Sequence, residues 1–170
     1  VTNAVKGLLE RDQASAEKVI EIEREVDRLE VEVDSEAVRY LNMRSPIATE
    51  LRLIMTGSRM AHEFERIGDE SKKIAKRAMR LKAVFPGSFE MYFEEMAAVV
   101  ETMFTDLQQV FTHGNAELAD QLIKRDEKVD SLNRVIQETL IKSVEAEEIP
   151  LKSGVELISC CRALERVGDH

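Results

Sequence analysis

The amino-acid sequence predicts an all-α chain, a tandem repeat of two three-helix bundles whose outer helices are cut short at both chain ends. Three observations lead there. The composition is that of long helices, with 44% apolar and 34% charged residues, 5% aromatics, no Trp, and only seven Gly and three Pro to interrupt 170 residues. Apolar residues recur at three- and four-residue steps, and no segment alternates as a strand would. The chain also matches itself: "FTDLQQVFTHGNAELADQLIKRDEKVDSL", residues 104–132, falls without a gap on "VTNAVKGLLERDQASAEKVIEIEREVDRL", residues 1–29, at an offset of 103. Later, "LERVGDH", residues 164–170, falls on "FERIGDE", residues 64–70, at an offset of 100, so the second copy is shorter by about three residues in a loop.

The elements follow in order. Residues 1 to about 10 form one helix, and Asp12 or Ser15 is placed to cap a second of about 25 residues, since either side chain can accept a bond from an orphan amide of the first turn. "NMRSPIATE" breaks the pattern, with Ser45 expected as the N-cap and Pro46 at the first position of a third helix, where its missing N–H costs nothing; that helix is expected to run to about Leu81. "FPGS", residues 85–88, is the strongest turn signal and divides a first unit, 1–84, from a second, 88–170, with 85–87 as the turn between them. The second unit repeats the plan: a helix from Ser88 to Thr112, a turn at Gly114 and Asn115, a helix to about Glu145, and a third from near Pro150. Two stripes are expected to be buried, Val19, Ile22, Val26, Leu29 and Val33 in the first unit and Leu118, Leu122, Val129, Leu132 and Ile136 in the second; Met60, Phe64, Ile67, Ile74, Ala78 and Leu81 form a third. The helix at the chain start is shorter than its repeat counterpart, and the helix at the chain end stops early relative to its own, so a longer parent protein is the expectation.

Bulk properties narrow the function. A net charge of −9, with no dense Lys/Arg run, repels phosphodiester backbones and argues against a nucleic-acid partner. No apolar stretch approaches the roughly 20 residues that span a bilayer, and the first residues lack a secretory layout, so the segment reads as cytoplasmic. Cys160 and Cys161 are adjacent in a helical stretch, where a mutual disulfide would strain the backbone; they read as small packing residues.

Besides the apolar stripes, the repeat preserves acid pairs. Glu23 and Asp27 match Asp126 and Asp130, and Glu65 and Asp69 match Glu165 and Asp169. Residues i and i+4 share a helix face, so each pair costs a few tenths of a kcal/mol unless something positive lies between its members. The pairs flank the apolar stripes. Gly68 and Gly168 lie beside them, and a helix-interior Gly costs about 1 kcal/mol against Ala, which suggests a close approach by another backbone or a ligand. If the second and third helices of a unit face each other along these edges, four carboxylates meet. Such hard oxygen donors suit magnesium, calcium, manganese or iron, and His62 or His170 would shift the preference toward iron or zinc. The alternative is a set of solvated surface ion pairs, with Arg24, Arg28, Arg66 and Arg166 as the neutralising groups and His62, His113 and His170 as plain surface or turn residues. A glycosidase-like acid/base pair is disfavoured, because nothing else in the chain builds a substrate cleft.

"ERIGD" followed by "ESKKIAKRA", its echo "ALERVGDH", the acid pair in each preceding helix, and "RSPIATELRLI" together resemble the PhoU family of bacterial phosphate-transport accessory and phosphate-regulon regulatory proteins. The resemblance covers essentially the whole chain and is specific because both motifs occur in both units. It implies a PhoU-like tandem of three-helix bundles, a homodimer or larger oligomer, and E/DxxxD motifs that hold iron, zinc or other divalent metals. Carried over by residue, the metal ligands would be Glu23, Asp27, Glu65 and Asp69 in one unit and Asp126, Asp130, Glu165 and Asp169 in the other. It further implies a non-enzymatic, cytoplasmic negative regulator, peripheral to the membrane, that links a phosphate ABC transporter to a sensor histidine kinase. Two other readings stay open at this point. One is a PhoU-like regulatory domain of a sodium/phosphate cotransporter, and the other is a metal-dependent hydrolase, for which the sequence offers no nucleophile, lid or phosphate loop.

Overall fold

A computed structural model describes residues 1–81, 85–113 and 116–170. Among them are six helices and no strand: α1 (Thr2–Leu9), α2 (Gln13–Arg44), α3 (Thr49–Ala78), α4 (Gly87–His113), α5 (Ala116–Glu145) and α6 (Leu151–Asp169). The architecture is the expected tandem of three-helix units, α1–α3 and α4–α6, with α3 of one unit packed on α6 of the other. The turn expected at Gly114 and Asn115 lies outside the described residues, as does residue 84, the expected end of the first unit.

The helix ends show where local signals hold. Asp12 caps α2, its Oδ1 accepting from the amides of Ala14 and Ser15 and its Oδ2 from the Ser15 hydroxyl at 2.6 Å. That helix is longer than the expected 25 residues or so, reaching Arg44. Ser45 is not the N-cap of the next helix; it closes α2, at φ 46°, donating its amide to the Leu41 carbonyl. Pro46 accordingly stands three residues ahead of α3, whose N-cap is Ala48 at φ 45°. The reason is geometric: α2 and α3 run back to back, and left-handed backbone at Ser45 with a second positive φ at Ala48 reverses the chain within four residues, so Pro46 sits in the reversal. In the second unit the reversal uses Glu147 at φ 58°, and Pro150 directly precedes α6. Helix α3 ends at Ala78, short of Leu81.

The core is concentrated in the second unit and at the junction. Phe89, Phe93, Met96 and Val100 step along one face of α4 and are all at most 1% exposed. Phe89 stacks on Phe93 with centroids 5.3 Å apart and meets Phe85 edge to face at 5.5 Å. Facing them are Val129, Leu132, Ile136 and Leu140 of α5 and Leu157, Cys160, Cys161 and Leu164 of α6. Burial pushes the Cys160 thiol up to about 12, which keeps it an unreactive packing group. Gly154 brings α6 against α5: a Cβ there would lie 2.5 Å from Val144 Cγ2. Gly7 does the same for α1, where a Cβ would stand 3.0 to 3.2 Å from Ala16.

The first unit departs from expectation in its stripe. Val19 is buried, but Ile22, Leu29 and Val33 are exposed. Helix α1 buries only Ala4, Gly7 and Leu8, at the base of the α2–α3 hairpin. Beyond it, the apolar faces of α2 and α3 wall a groove of about 700 Å³ between Ile22, Val26 and Val33 on one side and Phe64 and Ile67 on the other. Met60 and Phe64, placed in the third stripe, are likewise only partly covered, whereas Ile67 and Ile74 are buried.

Candidate metal centre

Each acid pair lies on a long helix that faces the partner helix carrying the other pair of its unit. The i, i+4 spacing puts Glu23 and Asp27 on the edge of α2 toward α3, and Asp126 and Asp130 on the edge of α5 toward α6. Gly68 and Gly168 mark the crossings. A Cβ on Gly68 would lie 3.6 Å from Glu23 Cγ and 3.8 Å from Val26 Cγ1; on Gly168 it would lie 3.5 Å from Val129 Cγ1 and 3.6 Å from Asp126 Oδ1. These are ordinary contact distances, so an alanine methyl would fit at either place. Close helix approach therefore does not by itself demand glycine there, in contrast to Gly7 and Gly154.

In the second unit Asp130, Glu165 and Asp169 present carboxylate oxygens that all lie within 4.8 Å of one another. Asp126 adjoins them, and its Oδ1 is buried without a hydrogen-bond partner. Burial raises the pKa of Asp126, and the charges of Asp169 and Asp130 raise it further. Glu165 is raised by the same causes, burial first and then Asp169 and Asp130. No described Lys or Arg forms an ion pair with these four carboxylates. A cluster of like charges with an orphaned buried oxygen is a donor set complementary to a divalent cation.

The first unit assembles the same four residue types differently. Glu23 is 2% exposed, and one of its oxygens, Oε1, is taken by the ammonium of Lys72 from α3. Its other oxygen and Asp27 Oδ1 are buried without partners. Lys72 Nζ also stands 4.0 Å from Asp69 Oδ1. The hydrogen bond to Glu23 raises the Lys72 pKa, and the charges of Glu23, Asp69 and Asp27 add to it against the opposing effect of burial. Glu65 is raised by burial and then by Asp69, Asp27 and Glu30, with His62 opposing. Among the described residues no three oxygens of this unit converge as closely as Asp130, Glu165 and Asp169 do.

Of the arginines expected to neutralise the pairs, three make ion pairs with other carboxylates. Arg28 bridges Glu25 and Glu32, Arg66 pairs with Glu63, and Arg166 reaches Glu70 across the α3–α6 junction at 3.5 Å. His62 approaches Glu30 at 3.6 Å, and His170 approaches Glu63 at 3.2 Å; neither belongs to the close carboxylate group. His113 contacts Thr112 and the Gln109 carbonyl. Lys72 is the residue that sequence reasoning missed. Its signal was the i+3 step from Asp69, one turn further along the same helix edge.

Comparison with known proteins covers both units. A family model described as the PhoU domain matches residues 1–78 and again 93–170. The phosphate-specific transport system accessory protein PhoU homolog of Pseudomonas putida is 31% identical over 172 residues, an alignment that takes in all of this chain and 67% of that protein. The Escherichia coli accessory protein PhoU is 28% identical, over all of this chain and 70% of its own length. The crystal structure of PhoU from Pseudomonas aeruginosa superposes with a TM-score of 0.92 at 30% identity, covering 99% of this chain and 81% of that one. A phosphate transport system regulatory protein PhoU from Streptococcus pneumoniae shares the fold at 20% identity, with a TM-score of 0.86 over 99% of this chain and 79% of that one.

Proposed function

The chain belongs to the PhoU family, and on that premise we propose that it is a non-enzymatic accessory protein of phosphate-specific transport that represses phosphate-starvation genes when phosphate is plentiful. It would do so by contacting a phosphate ABC transporter and a sensor histidine kinase at the membrane, as a homodimer. The names of its relatives place them with the phosphate-specific transport system. No described helix is long and apolar enough to cross a membrane, and at a net charge of −9 electrostatics would not hold the chain on anionic lipid. Attachment would therefore run through protein partners at the cytoplasmic face.

The acid sites would hold divalent metal. The observation that carries this reading is the convergence of Asp130, Glu165 and Asp169 within 4.8 Å, beside the orphaned Asp126 oxygen. An all-oxygen set favours magnesium or manganese, and His170, the nearest histidine in sequence, pairs with Glu63 instead. Held there, a metal would tie α5 to α6.

Two experiments test the reading. In a strain lacking the gene, a phosphate-starvation reporter should be active in high phosphate and be silenced again when the gene is restored; a reporter indifferent to the gene overturns the regulatory role. Elemental analysis of purified protein should find stoichiometric metal that falls in Asp130→Ala and Asp169→Ala, with Asp27→Ala and Asp69→Ala reporting on the first unit. Protein that carries no metal and takes up none on dialysis overturns the metal part alone.

A further inference from the structure

We propose that Lys72 is a built-in cation of the first acid site, so that a divalent ion enters that site only when the Lys72 ammonium has left Glu23. This rests on the metal reading above and deepens it.

The argument starts from Glu23. Its side chain is 1% exposed, which an ionised carboxylate tolerates only with a cation or several hydrogen bonds at hand. The Lys72 ammonium supplies one such contact, at Oε1, while Oε2 remains unpartnered and so does Asp27 Oδ1 beneath it. The same ammonium lies 4.0 Å from Asp69. A divalent ion bridging Glu23, Asp27 and Asp69 would need the region that Nζ now holds, and the two charges would repel each other. Even at the dielectric of water, a unit charge and a divalent ion about 4 Å apart repel strongly enough to weaken binding by more than about tenfold.

Lys72 blocks the site reversibly. Its side chain is 25% exposed and sits on a four-carbon stem that can swing its charge into water. Glu23 would then lose one cation and gain another, so the carboxylate stays compensated throughout the exchange.

The test uses the full chain freed of metal by chelator and titrated with Mn²⁺, free ion being followed by electron paramagnetic resonance. In an Asp130→Ala/Asp169→Ala background, which leaves the first site to report alone, Lys72→Met should bind Mn²⁺ more than about tenfold tighter than the same chain with Lys72, and Lys72→Arg should behave like Lys72. Equal affinities for Lys72 and Met, or no first-site binding with Met, overturn the inference. If Lys72→Met fails to fold by circular dichroism, Lys72→Gln removes the charge while keeping a donor to Glu23, and the same criteria apply. The metal reading fails separately, if the chain with both sites intact binds no Mn²⁺ and Glu165→Ala changes nothing.

Discussion

Leu29 and Leu132 occupy matched positions in the two units, yet Leu29 is 45% exposed and Leu132 8%; Val33 and Ile136, one turn further on, are 38% and 0% exposed. The helices that carry them have nearly the same length and the same apolar spacing. What differs is the neighbour that these 170 residues supply: α4 runs beside α5, and α1 packs on α2 around Ala16. An apolar stripe announces which face a helix would bury, and burial follows only where another helix lies along it. The acid sites show the same lesson in polar form: four matched carboxylates end as a tight oxygen cluster in one unit and as a lysine-bridged set in the other.

The largest test of this contrast removes side-chain volume at the matched positions. Leu132→Ala should destabilise the protein by about 2 to 5 kcal/mol, because the site is closed and leaves a cavity, whereas Leu29→Ala should cost less than about 1 kcal/mol. Urea unfolding midpoints of the two variants decide it; equal losses would mean that the groove of the first unit is closed in solution. Next come the glycines. Gly154→Ala pushes a methyl into Val144 and should cost about 1 to 3 kcal/mol. Gly68→Ala meets only ordinary contacts and should stabilise the metal-free protein by up to about 1 kcal/mol through helix propensity. A destabilising Gly68→Ala in thermal melts would show that the α2–α3 crossing is tighter than these distances.

At the helix start, Asp12→Ala removes the bonds to Ala14 and Ser15 and should cost about 1 kcal/mol, read from the same unfolding curves. The smallest effect is one of pH. Glu65, Asp126 and Glu165 have pKa values raised above those of the unfolded chain, so the folded protein binds their protons more tightly. Their contribution favours the fold at and below the ordinary carboxylate range and is lost as pH rises through the raised values. Metal-free protein should therefore melt at a higher temperature in mildly acidic buffer than at neutral pH, and Asp126→Asn should reduce the difference. A melting temperature that falls steadily on mild acidification would show that lowered carboxylates such as Asp12 outweigh them.

Much of this molecule can be read from the chain alone, because the readable parts depend on neighbours in sequence. Helix class, the repeat, the Asp12 cap and the placing of each acid pair on one helix edge are local, set by periods of three to four residues and by single-turn hydrogen bonds. Ser45 ends α2 instead of beginning α3 because a cap residue can do either, and the left-handed backbone that decides between them leaves no clear mark in a serine.

The tertiary structure alone decided which stripe is covered, which carboxylates converge and which cation answers them. Asp130 and Glu165 are 35 positions apart, and Glu23 and Lys72 are 49 apart. Whether such groups meet depends on the crossing of two helices and on a few torsions at the ends of long side chains. No periodicity encodes those distances, so the sequence marks eight carboxylates alike and packing decides which of their oxygens converge.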